Sequence, residues 1–178
     1  PCQTECLNED GKSYELTTLI PESIGNLSAI DTLALIGMNM LGTMPDTLSS
    51  LIELDAFILA GNENLSGELP DGMDNISNLD YLNLQDNGLN GEVPNSIWDM
   101  SSLLSLNLSG NEFVGVIPEA LCNNSLIAIY GEQFDFDENQ FCPPYPDCND
   151  GLITSEEEQD VELFSYYEEN DNFDCIGN

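Results

Sequence analysis

Thirty-four of the 178 residues are Asp or Glu, six are Cys and one, Lys12, is basic. Carboxylates and thiols are therefore the groups that could do chemistry. With carboxylates this abundant, a glycosidase-like acid/base pair can be drawn almost anywhere, and a solvated acidic surface explains them equally well. Calcium is the more specific possibility. Asp135, Asp137, Glu138 and Asn139 lie in D-F-D-E-N, and Asp147, Asn149, Asp150 and Gly151 in D-C-N-D-G. Hard oxygen ligands at alternate positions suit Ca²⁺. The candidate ligands are Asp135, Asp137, Asp147, Asn149 and Asp150. The second stretch is one residue short of an EF-hand loop before its Gly, so that register fails.

The cysteines are Cys2, Cys6, Cys122, Cys142, Cys148 and Cys175, all near the two ends. An even number so placed reads as disulfides formed in an oxidising, extracytoplasmic compartment. Cys2–Cys6 is the expected N-terminal pairing, with the other four bonded among themselves. Five N-x-S sequons, at Asn26, Asn64, Asn75, Asn107 and Asn123, are candidate glycan acceptors in such a compartment.

The net charge of −33 excludes several functions. Nucleic-acid and anionic-membrane binding both need clustered Lys or Arg. With no His or Arg, a Ser-His-Asp triad, a His-ligated zinc and an arginine finger are all ruled out. No constellation of catalytic groups remains, so the expectation is a chain that is not an enzyme. No cofactor is expected either, with Ca²⁺ the one candidate ion. Starting at Pro1 without a leader pattern, the chain reads as already processed or trimmed.

These groups must be held by a repeat. Ile20-Pro21, Met44-Pro45, Leu69-Pro70, Val93-Pro94 and Ile117-Pro118 recur at steps of 24, 25, 24 and 24 residues. Such a period marks a solenoid with one supersecondary unit per turn. The stretches before the prolines share L-x-L-x-x-N-x-L-x-G-x-I-P, as in LNLQDNGLNGEVP (82–94) and LNLSGNEFVGVIP (106–118). In L-x-L the outer two residues face inward and the middle one outward, as in a short strand. The Asn residues (Asn62, Asn87, Asn111, Asn139) fall where the chain bends, and their amides can bond backbone groups of adjacent turns as a buried ladder. Gly42, Gly67, Gly91 and Gly115 suit a tight bend. The first unit has Met38 at the ladder position, so the ladder is expected to start late. The second carries one extra residue, at Glu63 or Asn64.

The pattern resembles the plant-type subclass of the leucine-rich repeat (LRR) family, L-x-x-L-x-L-x-x-N-x-L-x-G-x-I-P-x-x, over roughly 16–145. The resemblance implies an LRR solenoid, curved and right-handed, with a concave parallel β-sheet. A second sheet is expected to follow the Gly-x-Ile-Pro, with a short irregular or 3-10 convex side and disulfide-stapled caps. The expected divisions are an N-terminal cap with a partial repeat (1–29), the regular solenoid (30–121), a degenerate last repeat with a Cys-containing cap (122–148), and an acidic extension docked on the cap or on a partner (149–178). The extension contains TSEEEQDVELFSYY (154–167), which fits either a helix or a strand.

Outward strand positions define what the concave face could bind. They are Ala34, Ile36, Ile58, Tyr81, Asn83, Gln85, Asn107 and Asp135, grading from apolar to acidic. Ile36 and Ile58 are expected to be exposed there. The expected function is a secreted, non-enzymatic scaffold or protein-interaction module. The alternative is a self-assembling subunit of an extracellular filament or surface layer, joined head-to-tail and dependent on cations. Partners are then another protein or a second copy, with Ca²⁺ or a cationic partner in attendance. Glycan or ice binding ranks third, because an ice-binding face wants a regular array of identical residues and this one is irregular.

Overall fold

A computed structural model gives the architecture. It describes residues 18–122 and 134–146, and the backbone of 6–7, 13–14, 123, 147–148 and 151–152. Each turn begins with a three-residue strand at the L-x-L motif: β3 (Thr32–Ala34), β4 (Ala56–Ile58), β6 (Tyr81–Asn83) and β8 (Ser105–Asn107). With β10 (Phe134–Asp135) they form one five-stranded parallel sheet in the order β10-β8-β6-β4-β3. The register steps by one repeat per strand: Leu33 pairs Phe57, Phe57 pairs Leu82, Leu82 pairs Leu106 and Leu106 pairs Phe134. Only a parallel stack of equal turns keeps this register, so the 24-residue period fixes the sheet.

A second sheet, ordered β11-β9-β7-β5, is built from β5 (Asn62–Gly67), β7 (Asn87–Glu92), β9 (Glu112–Val116) and β11 (Gln140–Cys142). This corrects the expected placement. The second sheet runs through Asn-x-Leu-x-Gly and ends before the Pro, instead of following it. The physical reason lies in the proline. Pro21 and Pro45 are extended (ψ 148° and 144°), and a 3-10 turn starts immediately after each, at Glu22–Asn26 and Asp46–Ser50. A residue lacking N–H ends a ladder and is well placed to open a helical turn. The convex connections of the later turns are a 3-10 turn at Met73–Asn75, one α-helical turn, α1 (Asn95–Trp98), and a 3-10 turn at Glu119–Asn123. The extra residue of the second repeat shows as a register shift between Asn62 and Ser66 of β5.

Between the sheets and the convex turns runs one apolar core. Each turn contributes the same columns: Leu82 and Leu84 from the strand, Leu89 after the Asn, Val93 before the Pro, and Ile97, Met100 and Leu103 from the convex side. At the C-terminal end the leucines give way to rings. Trp98 meets Phe136 and Phe141 edge-on at 5.5 and 6.1 Å, and Phe113 stacks on Phe141 at 6.4 Å. Large rings fill more volume per residue, and here they fill the core of the last turn whose strands join the two sheets among the described residues. Two antiparallel pairings precede and follow the repeats in sequence, β1 (Cys6–Leu7) with β2 (Ser13–Tyr14), and β12 (Asp147–Cys148) with β13 (Gly151–Leu152). The expected extension conformation (154–167) lies outside the described residues.

Candidate interaction face

The asparagine ladder positions the face, and it forms as the spacing requires. Asn62, Asn87, Asn111 and Asn139 are all buried. Each side chain clasps the turn before it. The Asn111 Oδ1 accepts from the Leu89 N–H (3.1 Å), while its Nδ2 donates to Leu84 O (2.8 Å) and to Leu108 O of its own turn (2.9 Å). Asn139 repeats the arrangement one turn later, with Phe113 N–H as donor and Leu108 O as acceptor. The ladder starts at Asn62, as Met38 implied: Asn62 Oδ1 accepts from the Met38 N–H at 2.9 Å. Among the described residues no buried side-chain N or O atom lacks a hydrogen-bond partner.

One conformational column had a sequence signal that the reading missed. The residue before each ladder position has positive φ: Gly37 (60°), Gly61 (67°), Asp86 (56°), Gly110 (65°) and Glu138 (54°). Three turns satisfy it with Gly; Asp86 and Glu138 do so at some cost, because a Cβ crowds the backbone there. The Gly of the Gly-x-Ile-Pro motif has a different constraint as well. A Cβ on Gly91 (φ 78°) would lie 2.6 Å from Glu68 Cγ of the preceding turn.

Three rows of outward residues cross the five-stranded sheet. The middle row is Ala34, Ile58, Asn83, Asn107 and Asp135, set side by side by the strand register. Tyr81 pairs with Ala56 and Ser105 in the row before it. The row after it runs Ile36, Ala60, Gln85, Ser109 and Asp137. Their neighbours are hydrogen-bonded turn to turn, for example Gly37 N–H to Ala60 O and Gly110 N–H to Asp137 O. At strand spacings of about 4.8 Å the face spans roughly 19 Å from β3 to β10.

Ala34, Ile36 and Tyr81 are exposed as expected, with Ile36 at 60 %. Ile58 is not: it is half-buried, flanked on both sides by the adjacent strands of the sheet. Ala60 and Ser105, also outward by alternation, are buried, being small and overtopped by their neighbours. Asn83, Gln85, Asn107 and Asp135 are half-buried and joined into one network. Asn107 Nδ2 donates to Gln85 Oε1 (3.1 Å) and Asp135 Oδ2 (3.5 Å), and its Oδ1 accepts from the Ser109 hydroxyl (2.7 Å). Gln85 N–H donates to Asn83 Oδ1, and Asp137 N–H to Asp135 Oδ1. Ser109, an outward flank of its strand, therefore belongs to the site as well. The apolar and polar halves of the face are both held rigidly by the sheet.

Of the calcium candidates, Asp135 and Asp137 sit in these outward rows, half-buried. Asp147 is in β12, and Asn149 and Asp150 lie outside the described residues. No group of three or more His, Cys, Asp or Glu side chains suited to a metal occurs among the described residues. Cys122 and Cys142 are disulfide-bonded. Cys2 and Cys175, and with them the expected N-terminal pairing, lie outside the described residues, as do the side chains of Cys6 and Cys148. The other acids sit where a coat would: Glu68, Asp71, Asp74, Glu92 and Glu119 are all exposed.

No curated protein matches the sequence. The Leucine Rich Repeat family profile matches residues 78–100 and 102–124. Solved structures of plant proteins superimpose on most of the chain. A chain of the BIR3–SERK2 complex from Arabidopsis thaliana is 30 % identical with a TM-score of 0.61, covering 75 % of this chain and 68 % of its own. A TDR receptor is 34 % identical with a TM-score of 0.66, covering 74 % of this chain and 22 % of its own. A plant ice-binding protein is 27 % identical with a TM-score of 0.62, over 73 % of this chain and 41 % of its own. The chain thus spans less than half the length of the last two. With repeat, ladder, paired sheets and these likenesses in agreement, the chain belongs to the leucine-rich repeat proteins, of the plant type.

Proposed function

We propose that the chain is an extracellular, non-enzymatic interaction module whose partner lies across the open face of the five-stranded sheet. One observation carries this reading. A rigid face grades over roughly 19 Å from exposed Ile36 and Ala34 to the acidic pair Asp135 and Asp137, and a partner with an apolar group at one end and a basic group at the other complements it. Among the solved relatives, the Arabidopsis receptor kinase HAESA is seen in complex with the peptide hormone IDA and the co-receptor SERK1, which supports protein partners for such a scaffold. The test is selection of displayed peptides on the folded chain. Selected peptides carry Lys or Arg near one end and an apolar residue near the other, and they lose binding to Ile36→Glu and to Asp135→Asn/Asp137→Asn. Equal binding to those variants refutes the reading.

A second reading draws on a different observation. Leu19, Leu27, Ile36, Met38 and Ile52 are all exposed and all belong to the first turns, where β3 is the end strand of its sheet among the described residues. An apolar end meeting the far end of another copy gives a heterologous, open-ended contact, hence a filament. At −33 net charge such assembly requires screening, for which Ca²⁺ is the candidate. Light scattering of the pure chain at rising concentration, with and without Ca²⁺, decides: a monomer throughout removes it. Ice binding is not proposed. The outward residues of β5, β7 and β9 (Asn64, Ser66, Asn90, Glu92, Glu112, Val114) are as mixed as those of the other sheet.

A further inference from the structure

The five N-x-S sequons are not equivalent in the fold. Two of them, at Asn64 and Asn107, lie in the strands, where the repeat itself writes N-L-S, and a third, at Asn123, runs out of the described residues. The other two do not come from the repeat consensus. Asn26-Leu27-Ser28 and Asn75-Ile76-Ser77 occupy the same place in their turns, at the end of a convex 3-10 turn; the equivalent residues of the other turns are Ser50, Asp99 and Asn123, and the side chain of Asn123 and the rest of its sequon lie outside the described residues.

Their surroundings suit a bulky addition. Asn26, Ser28, Asn75 and Ser77 are all exposed, and the amides of Asn26 and Asn75 make no side-chain hydrogen bond among the described residues. The residue between acceptor and hydroxyl is the one that anchors the turn at Asn75: Ile76 is fully buried. Beside Asn75 lies an open groove of about 400 Å³ lined by Asp74, Ser77, Ser96, Asp99 and Ser101. Carboxylates and hydroxyls of this kind offer acceptors and donors to the hydroxyls of a sugar ring. Asn107 is the opposite case. It is half-buried on the sheet, between β6 and β10, and its Oδ1 and Nδ2 are both engaged, by Ser109 and by Gln85 and Asp135. A glycan there would break the network and cover the open face.

We infer that Asn26 and Asn75 are N-glycosylation sites forming a convex pair, and that Asn107 is left unmodified in the folded protein. The inference rests on the extracellular location proposed above. The co-reactant is an oligosaccharide carried on a lipid pyrophosphate. The Asn amide nitrogen bonds to the anomeric carbon, that carbon's bond to the pyrophosphate oxygen breaks, and the amide proton leaves as the pyrophosphate departs. No oxidation or reduction is involved. The consequence is directional: sugars on the convex side leave the five-stranded sheet as the accessible face.

The experiment is expression of the full chain behind a secretion leader in a eukaryotic host, followed by peptide-level mapping with and without N-glycosidase. The expected result is glycan at Asn26 and Asn75, with the Asn reading as Asp after enzymatic release, and unmodified Asn107. Asn26→Gln and Asn75→Gln each remove one step of the gel shift, and the double variant removes both. Secreted chain bare at both positions overturns the inference, and so does glycan at Asn107. Peptide binding by the double variant is measured alongside. Loss of the peptide phenotype with glycans present sinks the interaction reading alone, whereas bare asparagines with peptide binding intact sink this one alone.

Discussion

Replacing Asn111 by Ala tests whether the ladder holds the turns together. The side chain is 93 % buried and bonds across two turns, accepting from Leu89 N–H and donating to Leu84 O and Leu108 O. Its Nδ2 has two hydrogens, so the third acceptor within reach, Ser109 O at 3.2 Å, can only share one. Leu84 O and Leu108 O each also accept from a neighbouring ladder residue, Asn87 and Asn139. Alanine therefore leaves Leu89 N–H without its side-chain acceptor and weakens two carbonyls without stripping them. At roughly 1–3 kcal/mol for a buried donor left unpaired, plus about 0.5–1 for each of the two weakened acceptors, the loss is about 2–5 kcal/mol. Asn111→Asp is worse than alanine. It keeps the acceptor but points carboxylate oxygens at two carbonyls, inside a buried site. Urea unfolding followed by the fluorescence of Trp98, which touches Phe136 and Phe141, reads both variants. An alanine variant within 0.5 kcal/mol of the parent, or an aspartate variant as stable as alanine, refutes the ladder argument.

Other substitutions probe the remaining devices. Asp86→Gly relieves a side chain held at φ 56° and raises stability by up to about 1 kcal/mol in the same urea experiment, provided its hydrogen bond from Gln85 is a surface contact of small worth. Gly91→Ala costs about 2 kcal/mol, from its φ of 78° and the approach to Glu68 Cγ, whereas Gly37→Ala, with nothing within 4 Å, costs about 1. Phe141→Ala, at zero exposure, costs about 3–5 kcal/mol and shifts Trp98 emission towards that of a solvated indole. Ile36→Ser, at a face rather than in the core, changes stability by less than about 0.5 kcal/mol by thermal melting while weakening peptide binding.

What was legible in the sequence was whatever repeats. The L-x-L strands, the ladder, the motif glycines and the proline steps each recur in register, and the fold places all of them as the pattern requires. The second sheet was misplaced because the hydrogen bonds that make a strand of Asn87–Glu92 come from the turns above and below it, not from its own residues. The concave face was legible in identity but not in depth. Alternation says that Ile58, Ala60 and Ser105 point outward; only the side chains of adjacent turns decide that they are covered. The aromatic plug at Trp98, Phe136 and Phe141 draws its members from two turns well apart in sequence, and no local pattern announces it. The column of positive φ was written plainly, as Gly37, Gly61 and Gly110, but Asp86 and Glu138 hid the period.

The ladder also has a direction. Each asparagine reaches back to the turn before it and never to the turn after, so a turn carries the clasp for its predecessor and presents a finished backbone to its successor. A unit bounded by two such residues, such as Asn87 to Asn111, is then a self-contained cassette. Copying or deleting it leaves one clasp per junction and no orphaned amide. Chains of this kind can be lengthened or shortened by whole turns, redrawing the extent of the recognition face while each surviving turn keeps its own chemistry.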